Sequence, residues 1–114
     1  MDINSLFIYG TLAPGRPNEH VLKPLGGVWQ RGAVCGRLVQ KGWGAASGHP
    51  AIVLDSSARP PVEGWLLTAE SLPDWWVRLD EFEGAEYQRV LTEVELDDGS
   101  TAQAWIYALA DPVV

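Results

Sequence analysis

Apolar positions along the chain fall into short runs punctuated by glycine and proline, with a single stretch that keeps helical spacing. Leu6-Phe7-Ile8-Tyr9, stopped by Gly10, predicts a buried first strand. Ala13-Pro14-Gly15-Arg16-Pro17 fits no regular element and predicts a loop. Asn18 then caps a short helical piece over Glu19–Leu22, ended by Pro24 and Gly26-Gly27. Val28–Val39 reads as a long strand with bulges or bends at Gly32 and Gly36. Residues 40–49 are too rich in glycine for a stable element and predict a loop. Ala51–Leu54 and Val62–Ala69 predict strands, joined by a turn through Ser56–Pro61.

Helical spacing appears at Leu72, Trp75, Trp76, Leu79 and Phe82. Ser71 is the expected N-cap, with Asp74 in a capping-box position and Pro73 tolerated in the first turn. Gly84 is the expected C′ residue that ends the helix. Val90, Thr92, Val94 and Leu96 then alternate along one face of a strand. Asp97-Asp98-Gly99-Ser100 turns the chain into a last strand over Ala104–Leu109. Five or six strands with one main helix and no regular βαβ alternation predict an α+β fold. Its expected form is a small mixed β-barrel-like sheet with the helix packed against it.

Composition narrows the class. With 114 residues, 46% of them hydrophobic and 20% charged, residues 1–114 are expected to form a single globular domain with its own core. Cys35 is the one cysteine, so no internal disulfide can staple the fold. Fifteen acidic against eight basic side chains give a formal charge of -7. That field repels a phosphate backbone and argues against nucleic acid or an anionic membrane as partner. Met1–Ser5 has no basic, apolar leader pattern, and no run approaches the roughly 18 apolar residues of a membrane span. A cytoplasmic address is therefore expected, in keeping with the free Cys35. The sequence does not disclose an oligomeric state.

Candidate chemistry is sparse. His20, His49 and Cys35 stand apart, without the spacing of a metal site, and Cys35 reads as an inert buried thiol in a strand. Gly10 in Tyr9-Gly10-Thr11-Leu12 lets the chain turn sharply, so that successive backbone N–H groups converge on one point and suit an anion such as a carboxylate. Taken alone, the motif favours the plainer reading of an ordinary strand-to-loop turn. Glu83 lies four residues after Leu79 and seven after Trp76, which puts its carboxylate on the apolar stripe, whereas Asp80 and Glu81 can turn to solvent. Desolvation and the helix C-terminus would both raise its pKa towards the range useful for proton transfer. The alternative is a glutamate that pairs with Arg78 or Arg89.

Taken in order, Tyr9-Gly10-Thr11-Leu12, Pro17-Asn18, Val21-Leu22, Val62-Glu63-Gly64, Leu79-Asp80-x-Phe82-Glu83 and Tyr87-Gln88-Arg89 resemble the γ-glutamylcyclotransferase-like family. The likeness is to its γ-glutamylamine cyclotransferase and AIG2-like branch, and runs from about Leu6 to Tyr107. The segment Gly42–Ser47 has no counterpart in that pattern. The resemblance implies a small mixed β-barrel and a reaction that converts a γ-glutamyl amine into 5-oxoproline and free amine. It implies no metal or cofactor, and a small-molecule γ-glutamyl substrate as the partner. By motif, Glu83 corresponds to the catalytic general acid/base. Tyr9, Gly10, Thr11 and Leu12 correspond to the loop that holds the γ-glutamyl head, and Tyr87 to a supporting substrate-binding residue. Two rival readings stay open: a small-molecule binding protein without turnover, and an interaction domain that uses its six tryptophans.

Overall fold

Strand pairing in the computed structural model closes a ring. The structure describes residues 3–9, 22–39, 51–84 and 87–109. The expected loops at 13–17 and 40–49, and the helical piece before Leu22, lie outside them. The strands are β1 (Ser5–Ile8), β2 (Val28–Val34), β3 (Gly36–Val39), β4 (Ala51–Leu54), β5 (Val62–Thr68), β6 (Tyr87–Leu96) and β7 (Thr101–Leu109). Their order is β1-β5-β2-β6-β7-β4-β3, and β1 also pairs with β7. Five strands, β1, β5, β2, β6 and β7, therefore form a closed barrel, and the β3–β4 hairpin extends it beyond β7. One helix, α1 (Trp76–Glu83), is entered through a 3₁₀ turn at Leu72–Trp75. The α+β, barrel-like fold expected from the sequence is the one observed.

Period-two alternation divides β1, β5 and β7 between two cores. Phe7, Val34, Ile52, Leu66, Val94, Ala104, Ile106 and Ala108 fill the barrel interior. Leu6, Ile8, Leu67 and Tyr107 point the other way and meet Leu22, Leu72 and Leu79 in a second cluster. Half-buried Trp29, Trp65, Trp75, Trp76 and Trp105 pack over that outer cluster. Burial of the apolar stripe is what holds the eight-residue α1 in place, since a helix of that length is marginal alone. The tryptophans thus have a packing role on the helix side of the barrel.

Several local expectations are corrected. Ser71 makes no side-chain cap, because the Asp74 N–H that a capping serine would accept is donated to the Ser71 carbonyl at 3.0 Å. The first turn is therefore 3₁₀, and Pro73, which has no N–H to satisfy, fits it. Pro24 sits inside a 3₁₀ turn over Lys23–Leu25. Val28–Val39 is two strands, broken at Cys35, and Gly32 stays in register opposite Gly64 and Leu96. Cys35 is accordingly not in a strand; it is half-buried, and the Arg59 Nη1 donates to its Sγ at 2.9 Å. Gly84 does end α1, at φ +85°, with its N–H donated to the Asp80 carbonyl.

Gly64 has a specific steric duty. A Cβ there would run into the Ile8 carbonyl oxygen and come within 2.7 Å of the Phe7 ring. Its absence lets the end of β1 lie close against β5. That closeness sets the position of Tyr9, the next residue along.

Candidate active site

The site begins at a fork in the sheet. β1 runs parallel to β7 through Leu6↔Trp105 and Phe7↔Ile106, and β4 takes the same edge further on, through Ile52↔Ala108. Tyr9 sits where β1 leaves. Its hydroxyl donates to the Tyr107 carbonyl at 2.6 Å and accepts from the Ile52 N–H at 3.0 Å. One phenol oxygen therefore ties β7 to β4 at the point where the β1 backbone departs. Burial, together with the charge of Glu83, pushes the Tyr9 hydroxyl well above the usual phenol range, although the Ile52 bond acts the other way. It remains a proton donor at any physiological pH.

Glu83 occupies the last position of α1, next to Gly84. Burial pushes its carboxyl from 4.5 up to about 7. Desolvation is the cause, as the position on the apolar stripe predicts. Its charge is felt by both Tyr9 and Tyr107, which places all three in one electrostatic neighbourhood. The alternative ion pairs are not formed. Arg89 is committed to Asp80 at 2.9 Å, and the Arg78 guanidinium lies over the Trp75 ring, 5.1 Å from its centroid.

Asp80 departs from expectation. It is not a free solvent-facing carboxylate: its Oδ1 accepts from the Tyr107 hydroxyl at 2.7 Å and from Arg89 Nε at 2.9 Å. Desolvation raises its pKa, but the bonds from Arg89 and Tyr107 outweigh that and hold it below the usual carboxylate range. Arg89 is in turn flanked by the Trp76 and Trp105 rings, 4.4 and 4.6 Å from their centroids. Burial and the bond to Asp80 push the Tyr107 hydroxyl far above the ordinary phenol value.

Of the residues singled out in the sequence, Tyr9 and Glu83 are brought together here. Tyr87, first residue of β6 and packed at the edge of the outer core, lies near enough to Tyr9 to interact with it electrostatically. Gly10, Thr11 and Leu12 lie outside the described residues, as do His20 and His49. Asp80 and Tyr107 were not recognised as site residues from the sequence. A usable signal existed, since Asp80 lies three residues before Glu83 on the same helix and Tyr107 alternates outward from Ile106 and Ala108. Among the described residues, no three of His, Cys, Asp and Glu gather so as to hold a metal ion. None of their helices is long and apolar enough to cross a membrane. A separate cleft of about 370 Å³, lined by Cys35, Asp55, Arg59, Thr92, Glu93 and Glu95 among others, contains none of the candidate residues.

Comparison with known proteins follows the same lines. No curated protein matches the chain by sequence. A solved AIG2-like protein from Mus musculus (A2LD1, GGACT) superposes with a TM-score of 0.73 at 25% identity, covering 99% of this chain and 81% of that one. YkqA from Bacillus subtilis gives 0.71 at 27% identity, over 94% of this chain but 36% of its own. An Arabidopsis thaliana protein, At3g28950.1, shares the fold with a TM-score of 0.69 at 20% identity, over 97% of this chain and 64% of its own. The family described as gamma-glutamyl cyclotransferase, AIG2-like, matches residues 6–113. With nearly its whole length so matched, the chain belongs to the gamma-glutamyl cyclotransferase, AIG2-like family.

Proposed function

We propose that the protein is a cofactor-free cyclotransferase. It converts a γ-glutamyl amine, amino acid or peptide into 5-oxoproline and the free amine, with Glu83 as general acid/base. The observation that carries this reading is the Glu83 carboxyl, desolvated to a pKa of about 7 in a family-matched barrel and near enough to Tyr9 for its charge to act on that hydroxyl. A carboxyl tuned to neutrality both accepts and returns a proton at little cost.

In this reading the substrate enters with its α-amino group as an ammonium ion. Glu83 takes a proton from it, and the freed nitrogen lone pair attacks the γ-carbonyl carbon. A C–N bond forms and the carbonyl oxygen becomes an oxyanion. Glu83 delivers the proton to the leaving nitrogen as the intermediate collapses and that C–N bond breaks. The extra proton left on the ring nitrogen then passes by way of Glu83 to the released amine, which departs as an ammonium ion. Ring closure is intramolecular, so the protein's work is to fold the substrate, hold its carboxylate and stabilise the oxyanion. Tyr9-Gly10-Thr11-Leu12 serves the γ-glutamyl head through backbone groups, and Tyr87 supports it from β6. A cytoplasmic setting suits the free thiol of Cys35.

The test is incubation with a panel of γ-glutamyl amines, amino acids and peptides, with 5-oxoproline followed by chromatography. Release from at least one compound is expected. A panel left unchanged, with one compound raising the melting temperature, replaces this reading with a binding protein.

A further inference from the structure

We propose that Asp80, Tyr107 and Arg89 form a clamp that positions Glu83 against Tyr9, a role that rests on the cyclotransferase reading above. In the last turn of α1, Phe82 packs on the outer core and Asp80 bonds to the barrel strands. The helix has eight residues, and Leu79 is its one fully buried side chain, while Val77 is 70% exposed. Gly84 breaks the helix directly after Glu83. A short helix held by a single buried side chain and a few half-buried ones frays readily at its last turn. Glu83 is in that turn.

Asp80 is the residue that anchors it. Three positions before Glu83, it projects on a neighbouring part of the helix surface, so fixing Asp80 fixes the turn that carries Glu83. Its Oδ1 receives two donors, the Tyr107 hydroxyl from β7 and Arg89 Nε from β6. The helix is thereby tied to two adjacent barrel strands through one oxygen. Arg89 is itself fixed, with its guanidinium over both the Trp76 and Trp105 rings, which meet each other edge-on, and its side chain 21% exposed. Stacked, desolvated guanidinium is far better ordered than a surface arginine.

Tyr107 makes the link directional. Its side-chain hydroxyl holds Asp80, and its backbone carbonyl receives the Tyr9 hydroxyl. A single residue, 5% exposed, thus sets the helix bearing Glu83 and the end of β1 relative to each other. Asp80, Tyr107 and Arg89 are positioning residues in this scheme, acting through Glu83 rather than on the substrate.

Three variants test it. Tyr107→Phe deletes one hydroxyl while keeping the ring and the backbone carbonyl that serves Tyr9. Asp80→Ala removes the shared acceptor. Asp80→Asn keeps a neutral Oδ1 for both donors and is the rescuing substitution. The first readout needs no turnover: titration of the Glu83 side-chain carboxyl by ¹³C NMR, assigned by its loss in Glu83→Gln. Tyr107→Phe and Asp80→Ala are expected to lower that midpoint by at least one pH unit, with the double variant no lower than Asp80→Ala. The second readout is 5-oxoproline release from whichever γ-glutamyl compound the unmodified protein turns over best. A fall in kcat of about tenfold is expected for Asp80→Ala, with KM within twofold and Asp80→Asn recovering much of the loss. Turnover in all variants equal to the parent, with an unmoved Glu83 midpoint and only a lower melting temperature, overturns the clamp and leaves the cyclotransferase reading standing. A displaced midpoint in a protein that turns over nothing supports the clamp and removes the reaction from it.

Discussion

Replacing Glu83 with glutamine separates a proton-transferring group from a structural one, because size and hydrogen-bonding reach are kept and only the exchangeable proton is lost. A carboxyl displaced from 4.5 to about 7 is disfavoured as an anion by roughly 3 kcal/mol, an upper bound for a group that keeps some contact with water. The sign follows from proton linkage. The folded state holds this proton more tightly than the unfolded state, so the group's contribution is most favourable below about pH 4.5. Stability is then lost as pH rises towards 7, and the loss is constant above that. Glu83→Gln has no such group. Its melting temperature should match the parent near pH 4.5, diverge upwards between pH 5 and 7, and stay above it by several degrees at pH 8. Asp55, Asp80 and Asp98, whose pKa values are held low, titrate below this window and do not blur it.

Catalysis should move the other way. With Glu83 as the base, kcat/KM for 5-oxoproline release rises tenfold per pH unit below about 7 and levels above it. The glutamine variant should bind substrate and lose on the order of 100- to 10,000-fold in rate. Scanning calorimetry from pH 4.5 to 8 and chromatographic rates on the same preparations provide both measurements. An active Glu83→Gln protein refutes the proposed mechanism. A variant less stable than the parent at pH 8 refutes the desolvated-anion account of its pKa.

Tyr9→Phe removes the oxygen that ties β7 to β4, leaving the Tyr107 carbonyl and Ile52 N–H without it, and should cost about 1–3 kcal/mol in a denaturant titration. Gly64→Ala should lower the melting temperature and activity together, since the new methyl pushes on the Ile8 carbonyl and Phe7 ring. Activity retained at full rate in folded Gly64→Ala protein would disconnect the end of β1 from the site. Gly10→Val should abolish ligand-induced thermal stabilisation, whereas Thr11→Val should weaken it with little change in fold. Glu81→Gln, on the exposed side of α1, should match the parent in both melting and rate.

Much of this was legible in the sequence, for identifiable reasons. Alternation and turn chemistry place β4 to β7, because each has one face on a core and a glycine, proline or Asp-Gly turn at its boundary. Glu83 could be found because a charged residue on an apolar helical stripe contradicts its own pattern. The fork at Tyr9 could not. It arises where β1 and β4, forty residues apart, share one edge of β7, and local pattern is silent on such pairing. Asp80 was misread for a related reason. Helical spacing turns it from the stripe towards solvent, and it is indeed half-exposed, but its partners Tyr107 and Arg89 come from strands that only the tertiary fold brings near. The capping box failed on a different point, since the 3₁₀ entry through Pro73 uses the donor that Ser71 would need.

Tyr9, Tyr107, Asp80 and Glu83 also divide the proton chemistry of this neighbourhood among themselves. Tyr9 and Tyr107 are pushed far up by burial and stay protonated, which suits donors that hold a carbonyl and a carboxylate. Asp80, despite its desolvation, is held low by Arg89 and Tyr107 and stays ionised, which suits an acceptor. None of these three changes charge near pH 7, so their hydrogen bonds are fixed while the reaction runs. Of the four, Glu83 alone is brought near neutrality, and of the two carboxyls it is the one without an arginine partner. The same low-dielectric surroundings thus yield two fixed donors, one fixed acceptor and one group free to exchange a proton. If Arg89 were drawn from Asp80 to Glu83, that division would collapse: Asp80 would rise, Glu83 would fall, and the site would lose its base at the pH where the others still hold their places.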